Sequence, residues 1–158
     1  MDMQDIARIG LLFLDGDDVA NALIDKVGHT DYDFNCFNRV KATLMKIEKI
    51  DPASGVHAIV WVRYATDGPV VIPLIAGSSL PVEGCKRMLA NPELRAAFDQ
   101  NIYKVKPRET GIISHYFPFD DSLGDQAGVL ELVIGMAEQK DVSYVDMFVP
   151  RREEFVKA

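Results

Sequence analysis

The 158-residue chain carries 17 Lys and Arg against 24 Asp and Glu, a formal net charge of −7, and is 48% hydrophobic. That size and apolar share suit one domain with its own core and exclude a disordered or fibrous chain. The acidic balance argues against a nucleic-acid-binding face, which needs basic residues. Two cysteines, Cys36 and Cys85, are too few and too far apart for a disulfide framework, a CxxC pair or a zinc site.

The opening Met1-Asp-Met-Gln-Asp-Ile is acidic, the reverse of a secretory leader. The longest uncharged stretch, Gly68 to Val82, is short and broken by Pro69, Pro73 and Pro81, so it cannot span a bilayer. As it stands the chain reads as cytoplasmic, with no membrane contact of its own. Excised from a membrane receptor, it would be extracytoplasmic.

The first 50 residues read as helical. Ile6, Ile9, Leu12 and Phe13 predict one amphipathic helix. Gly16 suits its end, and Asp17 or Asp18 suits the N-cap of a second helix carrying Val19, Ala22, Leu23 and Val27. A loop follows, with Tyr32, Phe34 and Phe37 as aromatic anchors. Val40, Leu44, Ile47 and Ile50 mark a third helix capped by Asn38, and Asp51-Pro52-Ala53-Ser54-Gly55 stops it.

The period then changes. Val56 to Tyr64 is β-branched and aromatic, Asp67-Gly68 is a hairpin turn, and Val70 to Ile75 is the returning strand. Pro73 places that strand at an edge or a bulge. Two short helices are predicted at Glu83–Leu89 and Pro92–Gln100, the second capped by Asn91. Asn101–Val105, Gly111–Phe119 and Ala127–Ile134 complete the strands, with Asp120–Asp125 as a turn, and residues 136–158 form a tail. There is no internal repeat or linker. The order predicts an α+β fold with an antiparallel sheet and helices packed on one face.

The segment His115-Tyr-Phe-Pro-Phe-Asp-Asp-Ser-Leu-Gly-Asp-Gln-Ala-Gly-Val-Leu-Glu-Leu-Val resembles the closing hairpin of PAS-like sensor domains, especially the Cache type. Asp121 to Gly124 would be its turn and Gly128-Val-Leu130 the start of its last strand. The resemblance extends from Val56 to Gly135. It implies a five-stranded antiparallel sheet with a small-molecule pocket on one face. It also implies homodimerisation through the N-terminal helices and no catalysis. The flanking membrane segments and output domain of most Cache sensors are not in this chain, and no ligand or cofactor identity carries over.

Strand alternation puts His57, Ile59, Trp61 and Arg63 on one face and Val56, Ala58, Val60 and Val62 on the other. The first face mixes an aromatic plate, an imidazole and a guanidinium. Trp61 would pack a ligand and Arg63 would pair with an anionic group; the bland reading is a half-exposed sheet face. His115, Phe117 and Phe119 share a face with Ile113, and His115 could bond a ligand or titrate near neutrality. The candidate ligand-binding set is therefore Trp61, Arg63, His57, His115, Phe117 and Tyr103. Glu131, between apolar neighbours, reads as exposed or as paired with Arg63 or Lys104. His29, Asp31, Asp33 and Cys36 fit no metal-site spacing. No GxSxG, Walker, GxGxxG or HExxH motif is present, and Ser78, Ser79 and Cys85 have no histidine at a recognisable spacing. Function is expected to be ligand sensing by a non-catalytic dimer. The alternatives are a ligand-free interaction module and, last, an enzyme with a site around Cys85 or His115.

Overall fold

The computed structural model describes residues 1–27, 35–64, 68–77, 87–108 and 111–135. The expectations for Ser78, Ser79, Cys85, the loop from His29 to Phe34 and the tail fall outside them. The described elements are α1 (Met3–Leu11), α2 (Gly16–Val27), α3 (Asn35–Glu48), a 3-10 turn (Pro52–Ser54), β1 (His57–Arg63), β2 (Val70–Ala76), β3 (Met88–Leu89), α4 (Pro92–Gln100), β4 (Lys104–Pro107), β5 (Ile113–Asp120) and β6 (Gln126–Ile134).

The fold is α+β. Its sheet is antiparallel throughout, ordered β3-β2-β1-β6-β5-β4. Six strands replace the five expected, because Met88–Leu89, read from sequence as the end of a helix, adds a two-residue strand against Val70 and Val71. β1 and β6 occupy the centre, which explains their near-continuous apolar runs: each is buried on both faces. β3 reaches only Val70 and Val71, so Pro73 has no ladder partner on that side among the described residues. The β1–β2 register also shifts beside Pro73, between Val60 and Trp61. The bulge alternative of the expectation therefore holds, while β2 itself is second from the edge, inside β3.

Helices cover both faces, not one. Ala58, Val60, Val62, Ile72, Leu74, Phe117, Phe119, Leu130 and Leu132 pack under α1, α2 and α3. On the opposite face Ile59, Trp61, Val71, Ile112, Tyr116, Val129 and Val133 pack with Leu94, Ala97 and Phe98 of α4. A sheet apolar on both sides needs two covers, and α4 supplies the second.

Sequence periodicity located α1 but not its inner face. Met3, Ile6, Ala7 and Gly10 are buried, while Ile9, Leu12 and Phe13 are exposed. The close approach to α3 selects small residues: a Cβ on Gly10 would sit 2.8 Å from Ile47 Cγ1. Asp2 caps this helix, accepting from the Gln4 N–H at 2.9 Å. Asp15, not Asp17 or Asp18, caps α2, accepting from the Asp17 N–H at 2.9 Å. Gly16 opens α2 rather than ending α1, because its backbone lies against the Asp120 carbonyl where a Cβ would collide. Asp17 instead accepts from the Ser122 N–H at 3.1 Å, and Asp18 pairs with Arg39 at 2.7 Å. Asn38 lies inside α3, whose buried stripe is Val40, Leu44 and Ile47 as predicted.

α4 matches its sequence signature. Asn91 Oδ1 accepts from the Leu94 N–H at 2.8 Å, with Pro92 in the first turn. Asn101 closes the helix in the left-handed region at φ 54°, so the next strand starts at Lys104 rather than Asn101. In the β5–β6 turn, Asp121 Oδ1 accepts from the Leu123 and Asp125 N–H groups at 2.8 and 3.0 Å.

Candidate functional site

The sequence-predicted residues divide between the two faces of the sheet. Trp61 and Arg63 lie on the α4 side. His115 and Phe117 lie on the α1 side, where Tyr103 joins them. Tyr103 stacks on Phe117 with ring centroids 4.7 Å apart, and its hydroxyl meets His115 Nδ1 at 2.5 Å. Burial pushes the His115 imidazole below its ordinary pKa, with Asp2 acting weakly the other way. His57 is in neither group: its Nδ1 lies 3.6 Å from Glu48 Oε2, beside the Ala58 N–H that donates to the same oxygen. A single pocket spanning Trp61 and His115 is therefore not what the fold builds.

Arg63 reaches α4 rather than an open pocket. Its guanidinium pairs with Asp99 and lies over the Phe98 ring, 5.1 Å from the centroid. It ties the helix to the sheet, so the anionic group it meets among the described residues is Asp99.

The polar centre of the α4 face is Glu131. It is fully buried, neither exposed nor paired with Arg63 or Lys104. The register sets Ile59 opposite Glu131 and Trp61 opposite Val129, so Trp61 and Glu131 are diagonal neighbours on one face. The Trp61 indole, 4% exposed, donates to Glu131 Oε1 at 2.7 Å. Arg108, just past β4, brings a guanidinium nitrogen to 3.9 Å from Oε2. Among the described residues Oε2 accepts no hydrogen bond.

Around this carboxyl the polar groups converge from separate elements. Tyr116, opposite Glu131 on β5, accepts at its hydroxyl from Arg108 at 2.8 Å and from Asn91 Nδ2 at 2.9 Å. Arg108 Nε reaches the buried Ser114 hydroxyl at 3.4 Å. Burial drives the Glu131 carboxyl well above its ordinary pKa, opposed by Arg108 and then by Ser114, Trp61 and Tyr116. Burial likewise raises the Tyr116 phenol, reinforced by the Glu131 charge. Such a cluster can recognise a small polar group: it offers one unsatisfied acceptor beside hydroxyl and guanidinium donors in a dry environment.

Sequence reasoning missed Arg108, Asn91, Tyr116 and Ser114. Asn91 had been fully accounted for as a cap, and the cap uses only its oxygen. The available signal was Glu131 itself, an acid inside the most apolar strand of the chain.

A second feature lies on the far side of the helical layer. Phe13, Thr43, Lys46, Ile47 and Ile50 line a groove of about 320 Å3, beside Leu12 and Phe13, which are 79% and 71% exposed. Among the described residues, no group of three or more His, Cys, Asp or Glu side chains is placed to hold a metal ion. No described helix is long and apolar enough to cross a membrane.

Fold and site together define an α+β domain with a buried polar cluster beneath one helix. Compared with known proteins, the chain matches no protein-family model and no curated protein sequence.

Proposed function

We propose that the chain is a small-molecule-binding sensory domain of the PAS-like kind, non-catalytic, with its ligand site on the α4 face around Glu131. The observation that carries this reading is the fully buried Glu131 carboxyl, with one oxygen held by Trp61 and the other open to a donor. A buried acceptor left without a donor costs about 1–3 kcal/mol. A cost of that size at the centre of a sheet is accounted for when a ligand supplies the missing bond. Without the two-residue β3, five antiparallel strands remain, the number the resemblance implies.

The cluster favours a neutral ligand with adjacent donor and acceptor atoms. Arg108 and Glu131 already balance each other, and a net charge added to a buried pair is costly. Trp61, the sole tryptophan, touches the site and reports on it. A thermal-shift screen of small polar metabolites tests the reading, each hit being followed by Trp61 emission. Hits that raise the melting midpoint and shift the emission support it. Hits that stabilise the chain without changing Trp61 place the ligand elsewhere.

The groove favours a further element of the proposal, a homodimer. Leu12 is exposed next to a recess lined by Phe13, Ile47 and Ile50, so one face carries both a knob and a hole. A two-fold interface joins such a face to itself. If the groove alone were functional, the chain would instead be a ligand-free interaction module.

A further inference from the structure

α4 is attached to the sheet by a small number of identifiable ties. At its N-terminus Asn91 does two jobs: its oxygen caps the helix at Leu94, and its amide nitrogen donates to the Tyr116 hydroxyl. Near its C-terminus Arg63 pairs with Asp99, and Gln126 Nε2 donates to the Phe98 carbonyl at 3.0 Å. Between them Leu94, Ala97 and Phe98 form an apolar plug over the face that holds Glu131. Among the described residues α4 is the helix packed on the face that holds the carboxyl, and its first tie ends on Tyr116, the cross-strand neighbour of Glu131.

We propose that α4 is a lid over Glu131, and that the charge on this carboxyl sets how firmly the lid is held. Ionising the carboxyl under a closed lid leaves a buried anion whose Oε2 has Arg108 at 3.9 Å and, among the described residues, no hydrogen bond. Lifting α4 lets water supply the missing bond. Protonation removes that demand, so the protonated site favours the closed lid and the ionised site favours opening. By the same logic, a ligand donating to Oε2 takes the proton's place and closes the lid. The coupling is a property of the bare chain, so its failure is separate from failure of the ligand reading.

The groups facing Glu131 define the controls. Trp61 faces it from β1, Ser114 and Tyr116 from β5, and Arg108 from beyond β4. α4 brings the charged pairs Arg63–Asp99, Arg95–Asp99 and Lys106–Glu93. His115 belongs to the opposite face and His57 to the Glu48 end, so neither faces the lid.

The experiment is amide hydrogen exchange of the full chain from pH 5 to 9, read as protection factors, alongside Trp61 emission. The indole bonds Glu131 directly, so its emission steps when the carboxyl ionises. Protection of the α4 amides from Arg95 to Gln100 should fall as pH rises towards that step and level off above it, by about tenfold for each unit by which burial raises the carboxyl. The β6 amides of Leu130 and Leu132 should change less. In Glu131→Gln both the emission step and the α4 response should vanish. The proposal is overturned if Trp61 shows no step, if α4 protection is flat as pH rises towards it, or if α4 and β6 change together. Because the α4 and β6 comparison is made within the wild-type chain, the test stands even where the variant folds poorly.

Discussion

Trp61 and Glu131 are diagonal neighbours across the central strand pair, joined by a 2.7 Å hydrogen bond from the indole nitrogen to Oε1, and both are buried. A carboxyl at the centre of a sheet, with Trp61 on one oxygen and Arg108 3.9 Å from the other, is only partly compensated for its burial. Its energetics therefore depend on pH, and the sign is fixed by the direction in which its pKa moves.

Burial raises the Glu131 pKa in the folded chain above its unfolded value. Its favourable contribution is thus fully present below about pH 4.3 and is lost as pH rises through the folded pKa. Glu131→Gln keeps an acceptor for Trp61 and removes the titration. Urea unfolding of both chains at several pH values between 5 and 8.5 should show the variant gaining on the wild type as pH rises. A constant difference would mean that the folded carboxyl is already ionised below this range and its pKa is not raised.

His115 carries the opposite sign. Burial lowers its pKa, so its contribution is present above about pH 6.5 and is lost as pH falls through the folded value. His115→Gln should lose less stability than the wild type between pH 7.5 and 5.5, measured by the same unfolding curves. The Tyr103 hydroxyl bond to Nδ1 is the contact that protonation disturbs.

Asn91 separates capping from tethering. Asn91→Asp retains an N-cap oxygen but loses the donor to Tyr116, whereas Asn91→Ala loses both. The alanine variant should be less stable than the aspartate variant by about 1 kcal/mol, the usual worth of a cap. Both should raise exchange in α4. Equal stabilities would show that the Leu94 cap contributes nothing.

The exposed tip of α1 reads out assembly. Leu12→Asp with Phe13→Asp should convert the proposed dimer to a monomer in sedimentation equilibrium. Both side chains are largely solvent-exposed in one protomer, so its own stability should change by less than about 0.5 kcal/mol per site. A wild-type chain that is already monomeric at high concentration would remove the dimer from the account.

Much of the fold was legible in the sequence because its signals are local. The strand alternation that puts Val60 and Val62 opposite Trp61 in side-chain direction is read from period two. The Asn91-Pro92 start of α4 is chemistry carried by adjacent residues. The inner face of α1 escapes the pattern because Gly10 lies in close approach to Ile47 and Ala7 is buried, and small residues give little hydrophobic signal. The α4 side of the sheet was unreadable for a different reason. Nothing local says that a nine-residue helix crosses to the face opposite α1, α2 and α3. Without that crossing, Tyr116, Asn91 and Arg108 have no reason to meet Glu131. Expectation joined two faces into one site for the same cause: His115 and Trp61 look alike as aromatic-strand residues, and only strand pairing sends them to opposite faces.

Native mass spectrometry of the purified chain, repeated under denaturing conditions, tests the central claim most directly. The account predicts an excess mass on the wild-type chain that disappears on denaturation and is lost or much reduced in Glu131→Gln. A bare polypeptide mass for the wild type, or an excess that Glu131→Gln retains undiminished, would contradict a ligand site built on the buried carboxyl.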